Sequence, residues 1–444
     1  MIKEIDKDIL RLAVPAIFSN ITVPLLGLSD TFITGHLGSE RYIAAIAVGT
    51  MMANALFWLF GFLRAGTTGL TAEAWGRGDS EAGRRIFTAS FLLAAAIGLA
   101  LVVVSYPLGR LMIAIMAPPE ATAQLAVRYF MLIVLAAPAQ LATMAVSGWM
   151  IGRQNTVCPM VVAISVNVIN IALSFVLVFA AGAGFTGVAV GTLVANWSGL
   201  LIALVLAHRL AAGAGLWCGR RELAAGLDVR RFFRVNSDLM MRSVCILAVP
   251  YAMTAFGARL GDVTLAVNAV IMQFFLFFSY FMDGFAFSGE ALCGRYAGAA
   301  DRPRLRATIS RLSRWCAVMA LLFCGIYSVG AVPAAALLTD NSTVVAGVGS
   351  LRWVVGTVPL LSVAAFMFDG VYIGLTATRS MLVSTFAATA AYFSTVAAGN
   401  MMHFPANNVL WTAFLLFLAL RGLILLAILP RTLSRINGSC SRSR

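Results

Sequence analysis

Residues 12–35 read LAVPAIFSNITVPLLGLSDTFITG, an apolar run in which Asp30 is the one side chain that ionises near neutral pH. A bilayer core of about 30 Å requires roughly 20 apolar residues in a helix. Backbone polar groups inside lipid must bond within their own segment, so unbroken apolar runs indicate helices. The 444-residue chain is 61% hydrophobic and 11% charged, whereas soluble domains carry about 25% charged residues. The sequence predicts an all-α integral membrane protein.

Eleven further apolar runs follow, which gives twelve predicted transmembrane helices. The spans lie approximately at residues 12–35, 42–66, 87–116, 126–150, 159–180, 186–207, 240–258, 263–288, 315–338, 349–376, 381–400 and 408–430. The longest break is polar and Arg-rich and divides the chain nearly in half. We therefore expect an N-lobe over residues 1–210 with helices 1–6, a cytoplasmic Arg-rich linker over 211–238, and a C-lobe over 239–444 with helices 7–12.

The distribution of Lys and Arg predicts the orientation, because cytoplasmic loops are enriched in both residues. With the N-terminus inside, 25 of the 32 Lys and Arg residues fall on the cytoplasmic side, Arg242 among them, and five near the outer face. Arg64 and Arg421 remain at or near membrane depth. We expect a multi-pass protein of the cytoplasmic (inner) membrane with both termini cytoplasmic. This topology also accounts for the net charge of +14, so nucleic acid is not an expected partner.

The two halves of the chain resemble each other. GWMIG at 148–152 recurs as GVYIG at 370–374, AEAWGRG at 72–78 recurs loosely as GEALCGR at 289–295, and Pro138 recurs as Pro359. These offsets of about half the chain length indicate a duplication. Because each half holds six spans, both halves have the same orientation, and the sequence predicts a parallel repeat, an arrangement found in transporters.

Several enzyme classes find no support in the sequence. Lys3 and Lys7 are the only lysines, so no mid-chain Walker A lysine exists, and GAGFTG at 182–187 lies in a predicted outer loop without a βαβ context. The three histidines form no H-E-x-x-H motif, and the seven cysteines form no C-x-x-C pair. We expect no cofactor and no metal site, and a membrane-embedded enzyme is the least favoured alternative.

Five acidic side chains lie in or at the edge of the predicted spans: Asp30, Glu73, Asp283, Glu290 and Asp369. An acid at a helix centre costs about 2.5–3.5 kcal/mol on insertion scales, so it usually faces a cavity or a partner. Asp30 is a candidate for ion coupling, although its carboxylate could instead reach the outer interface. Asp283 and Glu290 are seven residues apart and share a helix face.

Other residues at the predicted sites have both structural and functional interpretations. Glu290 beside Arg295, and Glu73 beside Arg77, fit interfacial positions as well as a cavity, and Arg64 could pair with an acid, Glu73 being a candidate. Asn167 and Asn170 share a face of the fifth helix, where an interhelical hydrogen bond is the simpler explanation. Tyr372, three residues after Asp369, joins Asp283, Glu290 and Asp369 as a candidate for a C-lobe substrate or cation cavity.

Several quoted stretches resemble a known family. VPAIFSNITVPLLGLSDTFITGHLG is similar to the first helix of MATE (multidrug and toxic compound extrusion) exporters, and FLRAGTTGLTAEAWGRGD, YFMDGFAFSGEALCG and FDGVYIG resemble the DinF-like branch. The resemblance runs across nearly the whole chain. It implies two six-helix lobes that alternate between inward and outward openings, and export driven by inward flow of H⁺ or Na⁺.

The resemblance also implies roles for individual residues. The family's first-helix acid takes up the coupling cation, which assigns that role to Asp30, and Asp369 matches a C-lobe acid implicated in some members. The family's fifth helix often reads Asn-x-x-x-Asp, whereas here Ser174 follows Asn170. Because Na⁺ prefers more charged oxygen ligands than one acid supplies, H⁺ is the expected coupling ion. Membrane-level charge reads as mostly acidic, which suits cationic or amphipathic organic substrates; a lipid-linked saccharide flippase is the nearest alternative. We expect a monomer.

Overall fold

The computed structural model describes residues 2–36, 40–116, 119–211, 213 and 215–440, without the side chains of residues 25, 26, 28, 30, 31, 40, 121, 225 and 435–440. The described chain is helical throughout and contains no strand. Its first half holds α1 (Ile2–Gly35), α2 (Glu40–Leu59), α3 (Phe62–Gly76), α4 (Ser80–Val103), α5 (Ser105–Met116), α6 (Glu120–Val134), α7 (Ala137–Gly152), α8 (Val157–Phe175) and α9 (Gly184–Ala211). Its second half holds α10 (Arg220–Gly226), α11 (Val229–Ala258), α12 (Asp262–Gly298), α13 (Arg302–Leu338), α14 (Ser342–Ser350), α15 (Arg352–Gly374), α16 (Thr378–Met401) and α17 (Ala406–Cys440).

These helices account for the predicted spans. Among the described residues, 10 helical segments are long and apolar enough to cross a membrane, and the pair α6–α7, bent by 48°, makes up to 11. The apolar run 12–35, predicted as the first span, lies within α1. Pro138 stands in the first turn of α7, directly after the bend, where a missing N–H costs nothing. The all-α membrane fold is therefore as predicted.

Contacts divide the chain into two compact units, Phe18–Phe232 and Met1–Ile17 with Phe233–Arg444. The first 17 residues group with the C-terminal half because of specific bonds. Asp6 accepts hydrogen bonds from Arg311 and from the Trp315 indole, and Ser288 donates to the carbonyl of Ile9 at 3.0 Å. Residues 1–17 therefore pack with the C-terminal unit, whereas the sequence places them in the expected N-lobe of residues 1–210.

The segment expected to be a linker is folded onto the N-terminal unit. Trp217 packs edge-on against Phe87 and Phe91 of α4, with ring centroids 5.0 and 4.9 Å apart. Leu216 is buried in the same cluster as Phe87, and the Cys218 N–H donates to the hydroxyl of Thr88 at 3.1 Å. This unit therefore continues to Phe232, well beyond residue 210.

The duplication is visible in backbone conformation. Left-handed residues occur in pairs 222 or 221 positions apart: Gly78 and Ala300, Gln154 and Thr376, Gly182 and His403. Asp79 and Asp301 cap the N-termini of α4 and α13 in the same way, each accepting from the N–H three residues on. Equivalent positions of the two halves thus adopt equivalent turns.

Helix packing repeats as well. A side chain at Gly148 of α7 would collide with the carbonyl of Arg64 on α3, and one at Gly370 of α15 would collide with the carbonyl of Ala286 on α12. One turn later, Gly152 and Gly374 approach the carbonyls of Thr68 and Glu290, within 2.8 and 2.7 Å of the Cβ that each lacks. The motifs GWMIG and GVYIG therefore mark the same close helix crossing in each unit.

Candidate functional site

In the N-terminal unit, α8 presents a line of polar side chains to two neighbouring helices. The amide of Asn167 donates to the hydroxyl of Thr22 on α1 at 2.8 Å. The amide of Asn170 donates to the hydroxyl of Thr192 on α9 at 3.1 Å, and its oxygen accepts from Ser174 at 3.3 Å. Asn170 and Ser174 are 2% and 0% exposed, so these bonds link three helices inside the unit.

This polar line reaches the level of Asp30. As the first and fifth spans, α1 and α8 run in the same direction, and the Asn167–Thr22 bond fixes their register. Ser174 lies seven residues beyond Asn167, and seven residues beyond Thr22 is position 29, so Ser174 is about level with Asp30. The backbone of α1 continues through Asp30, whose side chain lies outside the described part of the chain. Just past Ser174, α8 becomes a π-helical turn over Val176–Ala180, a feature frequent at functional sites.

Ser174 packs closely against Gly191 of α9. The α-carbon of Gly191 on α9 lies so near that a Cβ there would collide with the Ser174 hydroxyl and approach its backbone nitrogen to 2.9 Å. The serine that departs from the Asn-x-x-x-Asp pattern therefore lies at a close contact between α8 and α9.

In the C-terminal unit, Asp369 of α15 is held between two arginines. Arg421 of α17 donates to its Oδ2 at 2.6 Å, and Arg242 of α11 pairs with the same oxygen. The side chains of Arg242, Asp369 and Arg421 are 12%, 15% and 6% exposed. Glu290 of α12, 1% exposed, interacts electrostatically with Arg242. We call these four residues the C-unit charge cluster.

The cluster changes two expectations from the sequence. Arg242 was counted among the cytoplasmic arginines, but α11 begins at Val229 rather than near residue 240, so Arg242 lies 13 residues inside the helix. The buried charge in this cluster is therefore not mostly acidic, because Arg242 and Arg421 accompany Asp369 and Glu290. The sequence did point to Arg421, because this arginine is isolated in an apolar run. It did not indicate that Asp369 is its partner.

The other two candidates for a C-lobe cavity occupy different surroundings. Tyr372 is fully buried, and its hydroxyl donates to the carbonyl of Leu425 on α17 at 2.7 Å, so it braces α15 against α17. Asp283 is half-buried on α12, near Tyr280. Its neighbour Gly284 packs against the carbonyl of Ala13, 2.8 Å from the missing Cβ.

Glu73 is held by arginines of its own unit. Its carboxylate pairs with Arg77 one turn along α3 and with Arg231 at the start of α11, whose Nη1 lies 3.1 Å from Oε1. Arg64 lies nine residues earlier on α3, a rise of about 13.5 Å and half a turn of the helix face away. The structure therefore gives Glu73 other partners than the candidate Arg64.

Within the described residues, no three His, Cys, Asp or Glu side chains are grouped so that they could hold a metal ion. Duplicated units of membrane-spanning helices, with polar and charged side chains buried between helices of each unit, define a polytopic α-helical membrane protein with an internal repeat.

Comparison with known proteins identifies the family. The MatE family model matches residues 15–176 and 239–394, one segment in each half. DNA damage-inducible protein F of Escherichia coli is 36% identical over 427 residues, covering 96% of this chain and 92% of that protein. The probable multidrug resistance protein NorM of Thermotoga maritima is 26% identical over 341 residues, covering 72% and 69%. The crystal structure of the Vibrio cholerae MATE transporter VcmN in the bent form has a TM-score of 0.86 at 18% identity, over 98% of each chain.

The chain belongs to the MatE family. Its relatives are transporters, so it is a membrane transporter and not an enzyme, and the resemblance to the DinF-like branch is confirmed by the match to DNA damage-inducible protein F.

Proposed function

We propose that this chain is an H⁺-coupled antiporter that exports cationic or amphipathic organic compounds across the cytoplasmic membrane by alternating access. It acts as a monomer with both termini in the cytoplasm. The names of its relatives support export of toxic compounds: NorM is named a probable multidrug resistance protein, and several plant relatives are named DETOXIFICATION proteins. The proposal assigns ion coupling to Asp30.

The observation that carries the proposal is the polar line on α8 at the level of Asp30. Buried polar groups inside a membrane protein are costly unless bonded, and acids at this depth usually mark ion pathways. Asn167, Asn170 and Ser174 supply amide and hydroxyl groups there, while Glu73, the other acid within the spans of this unit, is bound to arginines. The hydrogen bonds of the polar line on α8 include no cationic side chain among the described residues.

The same residues favour H⁺ over Na⁺. A hard cation is held by several oxygen ligands, with affinity set by the count of charged ones. A Na⁺ site made from one carboxylate, two amides and the hydroxyl of Ser174 would be weak. The same neutral groups are compatible with a carboxyl group that gains and loses a proton. At position 174, where the family often has a second acid, this chain has a serine that packs against Gly191.

The transport cycle follows from this assignment. In the outward-open state Asp30 takes up a proton, which removes a charge from the membrane interior and allows α1 to repack. Substrate leaves to the outside, the protein returns to its inward-open state, and Asp30 releases the proton to the cytoplasm. Each exported cation is thereby exchanged for entering protons.

The test uses the full chain in proteoliposomes with ethidium as the probe. We expect ethidium transport to be driven by a pH gradient in which the compartment that receives ethidium is the acidic one. An equal Na⁺ gradient should have no effect. Asp30→Asn should reduce ΔpH-driven efflux at least tenfold, while Asp340→Asn, an exposed loop acid, should leave it unchanged. Efflux by Asp30→Asn that still follows the pH gradient would refute the assignment.

The flippase alternative gains one observation from the structure. Arg242 and Arg421 place two guanidinium groups inside the C-terminal unit, and such groups could meet a pyrophosphate. Both pair with Asp369, however, and Glu290 interacts with Arg242, so two acidic side chains already face the two arginines. Vesicles carrying a fluorescent lipid-linked saccharide separate the two functions: flipping of that lipid with no ethidium efflux would favour the flippase.

A further inference from the structure

The C-unit charge cluster occupies the position where the family resemblance suggests a second coupling acid. We infer that Arg242 and Arg421 serve as a built-in cation for Asp369, so that the C-terminal unit binds no exchangeable coupling ion and its carboxylate keeps its charge throughout transport. This inference rests on the proposed antiport function, and it limits coupling to the N-terminal unit.

The geometry of Asp369 supports this assignment. Two guanidinium groups converge on one carboxylate oxygen, Arg421 at 2.6 Å, and arginine stays charged at any physiological pH. Protonation of Asp369 would leave two like charges facing each other in a nearly dry interior. A Na⁺ ion approaching the same oxygen would meet two fixed positive charges, so neither coupling ion has access to it.

Three helices other than α15 contribute charged side chains to the cluster around Asp369. Arg242 comes from α11, Arg421 from α17 and Glu290 from α12, and each interacts with at least one other member. Within the described residues, the Nε atoms of Arg242 and Arg421 are buried without a hydrogen-bond partner, and one terminal nitrogen of each arginine contacts Asp369. Two positive and two negative charges make the cluster neutral.

The internal repeat shows that the cluster is particular to the C-terminal unit. With the offset of 222 that relates Gly148 to Gly370, the equivalents of Arg242 and Asp369 are Asn20 and Ser147. With the offset of 221 that relates Gly182 to His403, the equivalent of Arg421 is Leu200. Glu290 corresponds to Thr68, and these two residues make the same contact with Gly374 and Gly152. None of the four equivalents is charged, so the two units are built alike but are electrostatically different.

Two measurements on the full chain test the inference. In the wild type, proton release on binding of ethidium should be at most one proton per ethidium, from Asp30; two or more would overturn it. In proteoliposomes, the charge-balanced variant Asp369→Asn/Arg421→Gln should keep the wild-type ratio of ethidium efflux with and without a pH gradient, within twofold. If a folded variant lost the dependence of ethidium efflux on the pH gradient, Asp369 would be a coupling acid and the inference would be wrong.

A third variant tests the built-in cation directly. Arg242→Gln/Arg421→Gln leaves Asp369 and Glu290 as two neighbouring acids, so it should gain thermal stability when Na⁺ replaces N-methylglucamine or when the pH is lowered, unlike the wild type. Absence of that gain would count against the inference. Failure of the proposed function is recognised separately, because it appears in Asp30→Asn retaining its response to the pH gradient whatever these variants do.

Discussion

Arg421 illustrates at the scale of a single residue what burial of a charge requires. It lies in an apolar run of α17 and is 5% exposed, and a lone guanidinium there would be strongly destabilising. One oxygen of Asp369 accepts from it and from Arg242, which makes the burial tolerable. The sequence identified both Asp369 and Arg421 as unusual, but it did not pair them because they are 52 residues apart.

Asp369→Asn should be strongly destabilising. Removing the acid leaves two buried guanidinium groups without their counter-ion, and breaking a buried pair in this way costs about 3–5 kcal/mol. The free energy of unfolding in detergent, compared with that of the exposed loop variant Asp340→Asn, provides the measurement. If the two variants were equally stable, the two arginines would not depend on Asp369.

Asp6 gives a prediction for pH. Its hydrogen bond from Arg311 lowers its pKa in the folded state, with a smaller contribution from Trp315. A lowered folded pKa means that Asp6 stabilises the protein above its unfolded pKa of about 3.9, and that this stabilisation is lost as the pH falls through the folded pKa.

We therefore expect Asp6→Asn to lower the melting temperature at pH 6 by more than at pH 3.5. Asp8→Asn is the matched control, because Asp8 forms no ion pair among the described residues. A difference between wild type and Asp6→Asn that does not shrink with falling pH would show that the Arg311 bond does not hold α1 in place.

At the scale of elements, the close crossings of α3 with α7 and of α12 with α15 depend on two glycines. A Cβ at Gly370 would collide with the backbone of α12, and a Cβ at Gly148 would collide with the backbone of α3. Backbone atoms cannot relieve such a collision by a change of rotamer, as a side chain can. We expect Gly370→Ala and Gly148→Ala each to cost about 1–3 kcal/mol of unfolding free energy.

Gly325→Ala is the control for both substitutions. No atom of the described residues lies within 4 Å of the Cβ that Gly325 lacks on α13, so the change should be neutral or stabilising by about 0.4–1 kcal/mol. Chemical unfolding of the three variants measures these effects. If Gly148→Ala lowered the free energy of unfolding and Gly370→Ala did not, the crossing of α12 with α15 would not be equivalent in energy to that of α3 with α7.

The segment before α10 is held to α4 by aromatic packing. The ring of Trp217 contacts both Phe87 and Phe91, and such pairs contribute about 0.5–1.5 kcal/mol beyond the area they bury. Trp217→Ala should therefore release the segment and speed tryptic cleavage at Arg220 and Arg221, whereas Trp217→Phe should retain most of the protection. Equal cleavage of wild type and Trp217→Ala would contradict this docking.

At the scale of the whole molecule, the excess of arginine on one side predicts the orientation. A green fluorescent protein fused after Arg444 should fluoresce, and alkaline phosphatase at the same place should be inactive because it stays in the cytoplasm. The phosphatase inserted at Asp340 should be active, and at Gly78 inactive. An active C-terminal phosphatase would reverse the proposed topology.

Much of the architecture could be predicted because it depends on local properties of the chain. The length and apolarity of each run predicted the helices, and the recurrence of GWMIG as GVYIG predicted the duplication that the paired turns and glycine contacts now display. The lobe boundaries were less predictable, because bonds such as Ser288 to Ile9 join residues 279 apart. Trp217 likewise reaches α4 from a segment whose composition alone suggested a free linker.

The sequence by itself determined that this chain is a duplicated, all-helical membrane protein, since lipid permits few backbone arrangements and an apolar run carries its own helix. It also singled out Asp30 and Asp369 as costly acids. Only the tertiary structure decided that Asp369 pairs with Arg242 and Arg421, and that Gly191 packs against Ser174. The reason is physical: insertion depends on one helix and the lipid around it, whereas the net charge of a buried site depends on side chains from several helices that only folding brings together.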